Sequence, residues 1–300
     1  MSLLLLGACV APGSPPSVPA PAPAASPVSA AVQPLIADIP LSGRLEQGGI
    51  GFGTVPSSYR LRLGGDEVPV AGDGRFIIGI DRDAPATLLL EAHAPDGRRF
   101  VKSLTIAPRA WRIERVNVPR RPGVTNEEFE RLRAPEVARI NAARAVASQS
   151  DGWRQSFAWP ARGRISGVFG SQRIYRGGEA GAYHSGVDVA GGAGAPVTAP
   201  ADGVVVLAAA DKPFTLEGHL LIIDHGMGLN SAFLHLSRID VREGERVRKG
   251  QLVGTIGSSG RATGPHLHWA VKWKGARVDP MTLTGPMAGQ DASRVPVVEN

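Results

Sequence analysis

The stretch GPHLHW, residues 264–269, leads into HLHWAVKW, residues 266–273. In an extended chain successive side chains alternate faces, so His266 and His268 point the same way. Other stretches around it are equally strand-like and glycine-rich: GRISGVFG at 163–170, GVVVLAAA at 203–210, HLLIIDHG at 219–226, NSAFLHLS at 230–237 and QLVGTIG at 251–257. Short apolar runs bounded by glycine predict a compact all-β unit over residues 157–285.

Upstream, the period is also two. In YRLRL, Tyr59, Leu61 and Leu63 alternate with Arg60 and Arg62, and the turn pairs Gly64-Gly65, Asp73-Gly74 and Asp96-Gly97 follow at short intervals. This predicts a small β-sandwich over 39–120. Between the two β units, in 121–156, the period changes. Thr125 and Glu128 form a capping-box pattern, and Phe129, Leu132, Val137, Ile140 and Val146 make a helical stripe interrupted at Pro135, which reads as a connecting helix pair. The fold class is therefore mainly β: a small N-terminal β-sandwich, a short helical linker and a C-terminal antiparallel β-domain. Residues 286–300 read as a flexible tail.

The chain begins MSLLLLGACV, and its one cysteine is Cys9. A leucine run followed by small residues ending in LGAC resembles a bacterial lipobox, so residues 1–9 read as the remnant of a signal and Cys9 as a lipidated residue. The Ala/Pro-rich residues 10–38 cannot build a core and read as a spacer holding the folded part off a membrane. A single cysteine excludes an intramolecular disulfide and a thiolate-rich zinc knuckle, so a metal would need His, Asp or Glu. The 33 basic against 27 acidic residues favour polyanionic partners. Nucleic acid is not expected, because aromatics are only 5% and none interleave with a basic block.

Every histidine except His93 lies between 184 and 268. HSGVD places His184 and Asp188 four apart, on one face of either an extended or a helical backbone. Two histidines and a carboxylate can hold Zn²⁺ with a fourth position open to water, the arrangement of a catalytic rather than a structural site. His235, in AFLHLS, taken singly reads better as a core histidine bonded to a backbone carbonyl than as a site residue. His225, among the glycines of DHGMG, reads as organising a turn, and His219 carries no assigned role.

In order along the chain, WPARGRISGVFG, HSGVDVA, APVTAPADGVVV, IIDHGMGLNSAFLHLS and VRKGQLVGTIGSSGRATGPHLHW resemble the lysostaphin or LytM type of zinc metallopeptidase from about Trp159 to Leu283. The resemblance implies one Zn²⁺ held by His184, Asp188 and His268, with His235 and His266 flanking the metal as catalytic groups. It further implies a hydrolase that cuts the peptide cross-links of peptidoglycan, with stem peptides as partners. The setting implied is the periplasm, with anchoring to the outer membrane through Cys9 and regulation of the groove by the accessory β-domain. The alternative class is a non-catalytic LytM-domain protein that binds the cell wall or activates an amidase; known regulators of that kind have lost metal or catalytic residues, whereas all five positions are occupied here.

Overall fold

A computed structural model describes residues 38–119 and 127–287. The N-terminal strands are β1 (Leu41–Gly43), β2 (Ile50–Thr54), β3 (Arg60–Leu63), β4 (Asp66–Val68), β5 (Arg75–Gly79), β6 (Thr87–His93) and β7 (Arg99–Thr105). They form two antiparallel sheets, ordered β1-β2-β5 and β4-β3-β6-β7. In β3, Leu61 and Leu63 point inward and Arg60 and Arg62 outward, as the alternation requires. The β3–β4 hairpin turns on Gly64 and Gly65, both at positive φ (57° and 95°), which two-residue hairpin loops of this hand need.

After β8 (Ile113–Arg115) comes α1 (Glu127–Arg144), then β9 (Arg164–Gly167), β10 (Gln172–Ile174), β11 (Val187–Ala190), β12 (Pro196–Thr198), β13 (Gly203–Ala208), β14 (His219–Asp224), β15 (Leu229–Ile239), β16 (Arg246–Val247), β17 (Leu252–Ile256), β18 (Leu267–Trp273), β19 (Ala276–Val278) and the short α2 (Met281–Thr284). The large sheet runs β16-β13-β14-β15-β18-β11-β9, with β17 joining β15 to β12 and β19 joining β18. Strand β8 pairs in parallel with β10, so the chain leaving the sandwich is hydrogen-bonded to the loop region ahead of β11.

Leu267, Trp269, Val271 and Trp273 of β18 face a core shared with the sandwich, and Trp269 is fully buried with its ring edge-on to Trp159 at 5.9 Å. A Cβ on Gly79 of β5 would lie 2.6 Å from Cβ of Trp273, so a glycine there lets the sandwich backbone press against β18. The opposite face of the large sheet carries Leu207, Leu220, Ile222, Ala232 and Ala270, and α1 lies across it with Ala143 buried and Ile140 packed alongside.

The expected helix pair is one continuous helix. Pro135 lies inside α1 on its exposed side, where water can replace the lost backbone bond. The expected apolar stripe docks only in part: Ile140 packs against the sheet, whereas Leu132, Val137 and Val146 are exposed. Polar contacts also hold α1: Arg133 donates to both oxygens of Glu217 at 2.6 and 2.7 Å, and Glu136 accepts from the Thr215 amide and hydroxyl at 2.8 and 2.7 Å. Cys9, the 10–37 part of the spacer, Thr125 of the capping box and residues 288–300 lie outside the described residues. Among the described residues no helix is long and apolar enough to cross a membrane.

Candidate metal centre

Strand register builds the site. Asp188 of β11 stands opposite His268 of β18, and His268 in turn stands opposite Leu234 of β15, so three adjacent strands converge at this level of the sheet. Asp188 Oδ1 lies 2.9 Å from His268 Nδ1 and 3.0 Å from His184 Nε2. The three donor atoms lie within 4.8 Å of one another. His184 reaches Asp188 from the coil before β11, so a bend at Gly186 makes the contact that a shared strand or helix face would have made.

The backbone around this set leaves no room for side chains. A Cβ on Gly167 would lie 2.3 Å from Asp188 Oδ2 and 3.1 Å from His184 Cε1, and one on Gly186 would lie 2.8 Å from His268 Nε2. Both glycines are structural parts of the site that the sequence reading did not assign. The available signal for Gly167 was a glycine inside a strand pattern, which marks close backbone approach.

His184 Nδ1 lies 3.1 Å from the Val168 carbonyl, a bond that leaves Nε2 free to face Asp188. Burial alone would lower the pKa of His184, but the Asp188 carboxylate bonded to it holds it above its ordinary value. Burial would raise Asp188, yet its bonds to His184 and His268 hold the carboxyl well below the usual carboxylate range. Burial pushes His268 down. Two imidazole nitrogens and an oxygen from an ionised carboxylate, convergent and closely spaced, are a donor set that fits Zn²⁺ at ligand bonds of about 2.0–2.2 Å.

His235 and His266 stand beside this set, their rings 5.0 Å apart. His235 Nδ1 lies 2.9 Å from the Ser259 carbonyl, and His266 Nδ1 lies 2.8 Å from the Gly264 carbonyl. Donation from Nδ1 leaves Nε2 of each ring as a free acceptor, and His266 Nε2 is 3.8 Å from Asp188 Oδ1. His235 has φ +63°, a left-handed backbone that a non-glycine residue rarely adopts, at an irregular point of β15 where its amide bonds the Glu217 carbonyl instead of continuing the ladder. Burial lowers its pKa, which keeps the imidazole neutral near pH 7.

The structure thus brings His184, Asp188, His268, His235 and His266 together. His225 is elsewhere, fully buried between the Asp202 carbonyl (2.8 Å) and the Ser231 hydroxyl (2.9 Å), and His219 is held by the Ala209 carbonyl at 2.9 Å. His93, in the sandwich, pairs with Glu91 at 3.2 Å. Two cavities flank the five-residue site. One of about 580 Å³ is lined by Gly167, Tyr183, His184, Asp188 and Arg261, and the other, of about 240 Å³, opens between α1 and the sheet and is lined by Ser185 and His268.

Residues 182–280 match the profile of peptidase family M23. The catalytic domain of the M23 protein EnpA, encoded by a prophage of Enterococcus faecalis, is 32% identical over 96% of its length and 42% of this chain, with a TM-score of 0.34. Residues 182–280 are a peptidase family M23 domain. All five site residues lie inside the matched M23 segment. A crystal structure assigned to peptidase M23 from Pseudomonas aeruginosa superimposes over 81% of this chain and 96% of its own, at a TM-score of 0.63 and 29% identity, so that likeness takes in the sandwich as well. Peptidoglycan DD-endopeptidase ShyA of Vibrio cholerae is 37% identical over 134 residues, which is 45% of this chain and 30% of ShyA. The chain thus matches less than a third of that relative's length.

Proposed function

We propose that this M23 protein is a zinc-dependent endopeptidase that hydrolyses peptide cross-links of peptidoglycan in the cell envelope. The observation that carries the reading is the pairing of a convergent His184–Asp188–His268 donor set with two neighbouring imidazoles whose Nε2 atoms are both left free. Its kinship with a DD-endopeptidase supports peptidoglycan as the substrate. His184 through Nε2, Asp188 through Oδ1 and His268 through Nδ1 would hold the ion. When bound, zinc supplies Lewis-acid polarisation of a scissile carbonyl and makes a water more acidic.

The remaining chemistry belongs to the chain. His235, neutral and fixed through Nδ1, accepts a proton from the attacking water at Nε2, and that proton then passes to the leaving amine. His266, presented from the turn before β18, takes the complementary position and donates to the developing oxyanion when an N–H is also present at Nε2. A peptide lying across the donor set would occupy the cavities on either side of it. A lipid anchor at Cys9, holding the enzyme to the outer membrane from the periplasmic side, completes the proposal.

The decisive experiment gives the purified full chain cross-linked peptidoglycan with and without chelator, beside His268→Ala and His266→Ala. Chelation and His268→Ala should abolish product, with zinc lost from the variant. His266→Ala should retain about one zinc and lose 10²–10⁴-fold in turnover, the usual worth of a positioned acid–base group. A wild type that holds zinc yet releases no peptide-cleaved product defeats the endopeptidase reading in favour of a wall-binding or amidase-activating protein. Equal zinc loss in both variants defeats the division of roles.

A further inference from the structure

The smaller cavity continues along the outer face of the sheet away from His268, and its far end is strongly cationic. Arg144 closes α1, Lys272 lies on β18, and Arg277 lies on β19 directly opposite Lys272 in the antiparallel register; all three line the cavity. Like charges paired across strands are destabilising unless something offsets them. The acid lining the same cavity, Glu217, is already taken by the two-pronged bond from Arg133. Asp81, the nearby carboxylate, accepts the backbone N–H of Arg277 at 2.8 Å. Arg277 itself donates to the Tyr183 hydroxyl at 3.0 Å, so its charge is held in place but not neutralised.

Among the described residues neither Arg144 nor Lys272 makes an ion pair, and Arg144 Nε is buried without a hydrogen-bond partner. Burial pushes Arg144 down to about 10, with Arg277 adding to the effect, and burial followed by Arg144 and Arg277 pushes Lys272 down to about 8. A fold that holds three cations against one another and leaves a guanidinium N–H orphaned has a site prepared for an anion. The cavity wall between this cluster and His268 is small and apolar, made by Ala232, Leu234 and Ala270. That combination suits a peptide with small side chains and a free carboxylate better than a bulky polyanion.

We propose that Arg144, Lys272 and Arg277 form a carboxylate subsite that anchors an acidic, small-residue peptide substrate on the α1 side of the metal centre. The assignment rests on the metallopeptidase reading for its purpose, though not for its geometry. Lys272 is four residues along β18 from His268, about 13 Å at strand spacing. A carboxylate bound there therefore lies three to four extended peptide residues from a carbonyl held at the donor set. The subsite fixes how far from a free carboxylate the chain is cut, and α1 becomes one wall of the substrate groove.

Calorimetric titration of the full-length protein with acetyl-D-alanyl-D-alanine and with its C-terminal amide tests the subsite without requiring turnover. The acid should bind at least tenfold more tightly than the amide. Arg144→Met and Lys272→Met should each bring the acid to the level of the amide with zinc content unchanged, and Lys272→Arg should keep the preference. Because each Met variant relieves repulsion, its melting temperature without ligand should equal or exceed that of wild type, which separates a lost subsite from a damaged fold. Equal affinity for acid and amide, or a preference that survives both Met variants, overturns the subsite. If the wild type cleaves no peptidoglycan but still prefers the acid, the endopeptidase reading fails and the subsite stands.

Discussion

A histidine with no room for its charge makes the fold sensitive to pH. His225 is fully buried, hydrogen-bonded at both ring nitrogens, and burial pushes its pKa from 6.5 down to about 4. Between those two values the unfolded chain binds a proton that the folded chain refuses. Stability from this residue is therefore complete above pH 6.5 and is lost as pH falls toward 4. At about 1.4 kcal/mol per unit, the gap is worth about 3 kcal/mol. Denaturant midpoints measured from pH 7 to pH 4 should fall more steeply in wild type than in His225→Gln, although the variant is less stable at pH 7. Parallel pH profiles would contradict this. The same residue marks what the sequence could convey: a histidine among glycines reads correctly as a turn organiser, but its complete burial depends on strands distant in sequence. His235 is the sharper case. Its left-handed backbone has no signature in AFLHLS, where a core histidine is the better reading of the stretch taken singly.

Elements position the site from far away. Arg82, just past β5, is buried, and its Nε and Nη2 donate to the Gly170 carbonyl at 3.1 and 3.0 Å while Nη2 also reaches Gln172 Oε1 at 3.1 Å. Its guanidinium lies over the Trp111 and Tyr183 rings at 5.2 and 4.6 Å. Gly170 donates its amide to the His184 carbonyl at 2.8 Å, so a residue of the sandwich braces the coil that presents a metal donor. Arg82→Ala should lower zinc affinity by about 10–100-fold, the usual cost of losing a group that orients a ligand. Equilibrium zinc titration of the folded variant checks it, and unchanged affinity would show that the coil holds its shape unaided. Strand alternation made β3 and β18 legible, because one wet and one dry face leave a period-two record. Helix α1 was legible as helix but not as a docked element. Only Ile140 and Ala143 of its apolar residues meet the sheet while Leu132 and Val137 face water, and it is further anchored by ion pairs to Glu217 and Glu243 that its own sequence does not announce.

At the scale of the molecule, the two β regions read as separate units in the sequence share one core. Trp273 and Val278 of the M23 sheet pack against Gly79 of the sandwich, and β8 ties the sandwich's exit segment to β10. Local periodicity reports which residues face inward but not which inward faces meet, so this joint was invisible until the strands were placed. The Asp188–His268 contact spans 80 residues of chain, whereas the sandwich closes through hairpins such as β6–β7 between sequence neighbours. Pairings of long separation bear the larger loop-closure entropy and form late. The donor set is therefore completed only after β12 to β17 have been threaded between its halves. Zinc added to the refolding chain should leave the folding rate unchanged and slow unfolding, since it binds a feature absent from the transition state. A folding rate that rises with zinc in stopped-flow refolding would show the site forming early. A partly folded chain would hold no competent metal site, so metal-binding capacity would arrive with the last strand pairing and not before.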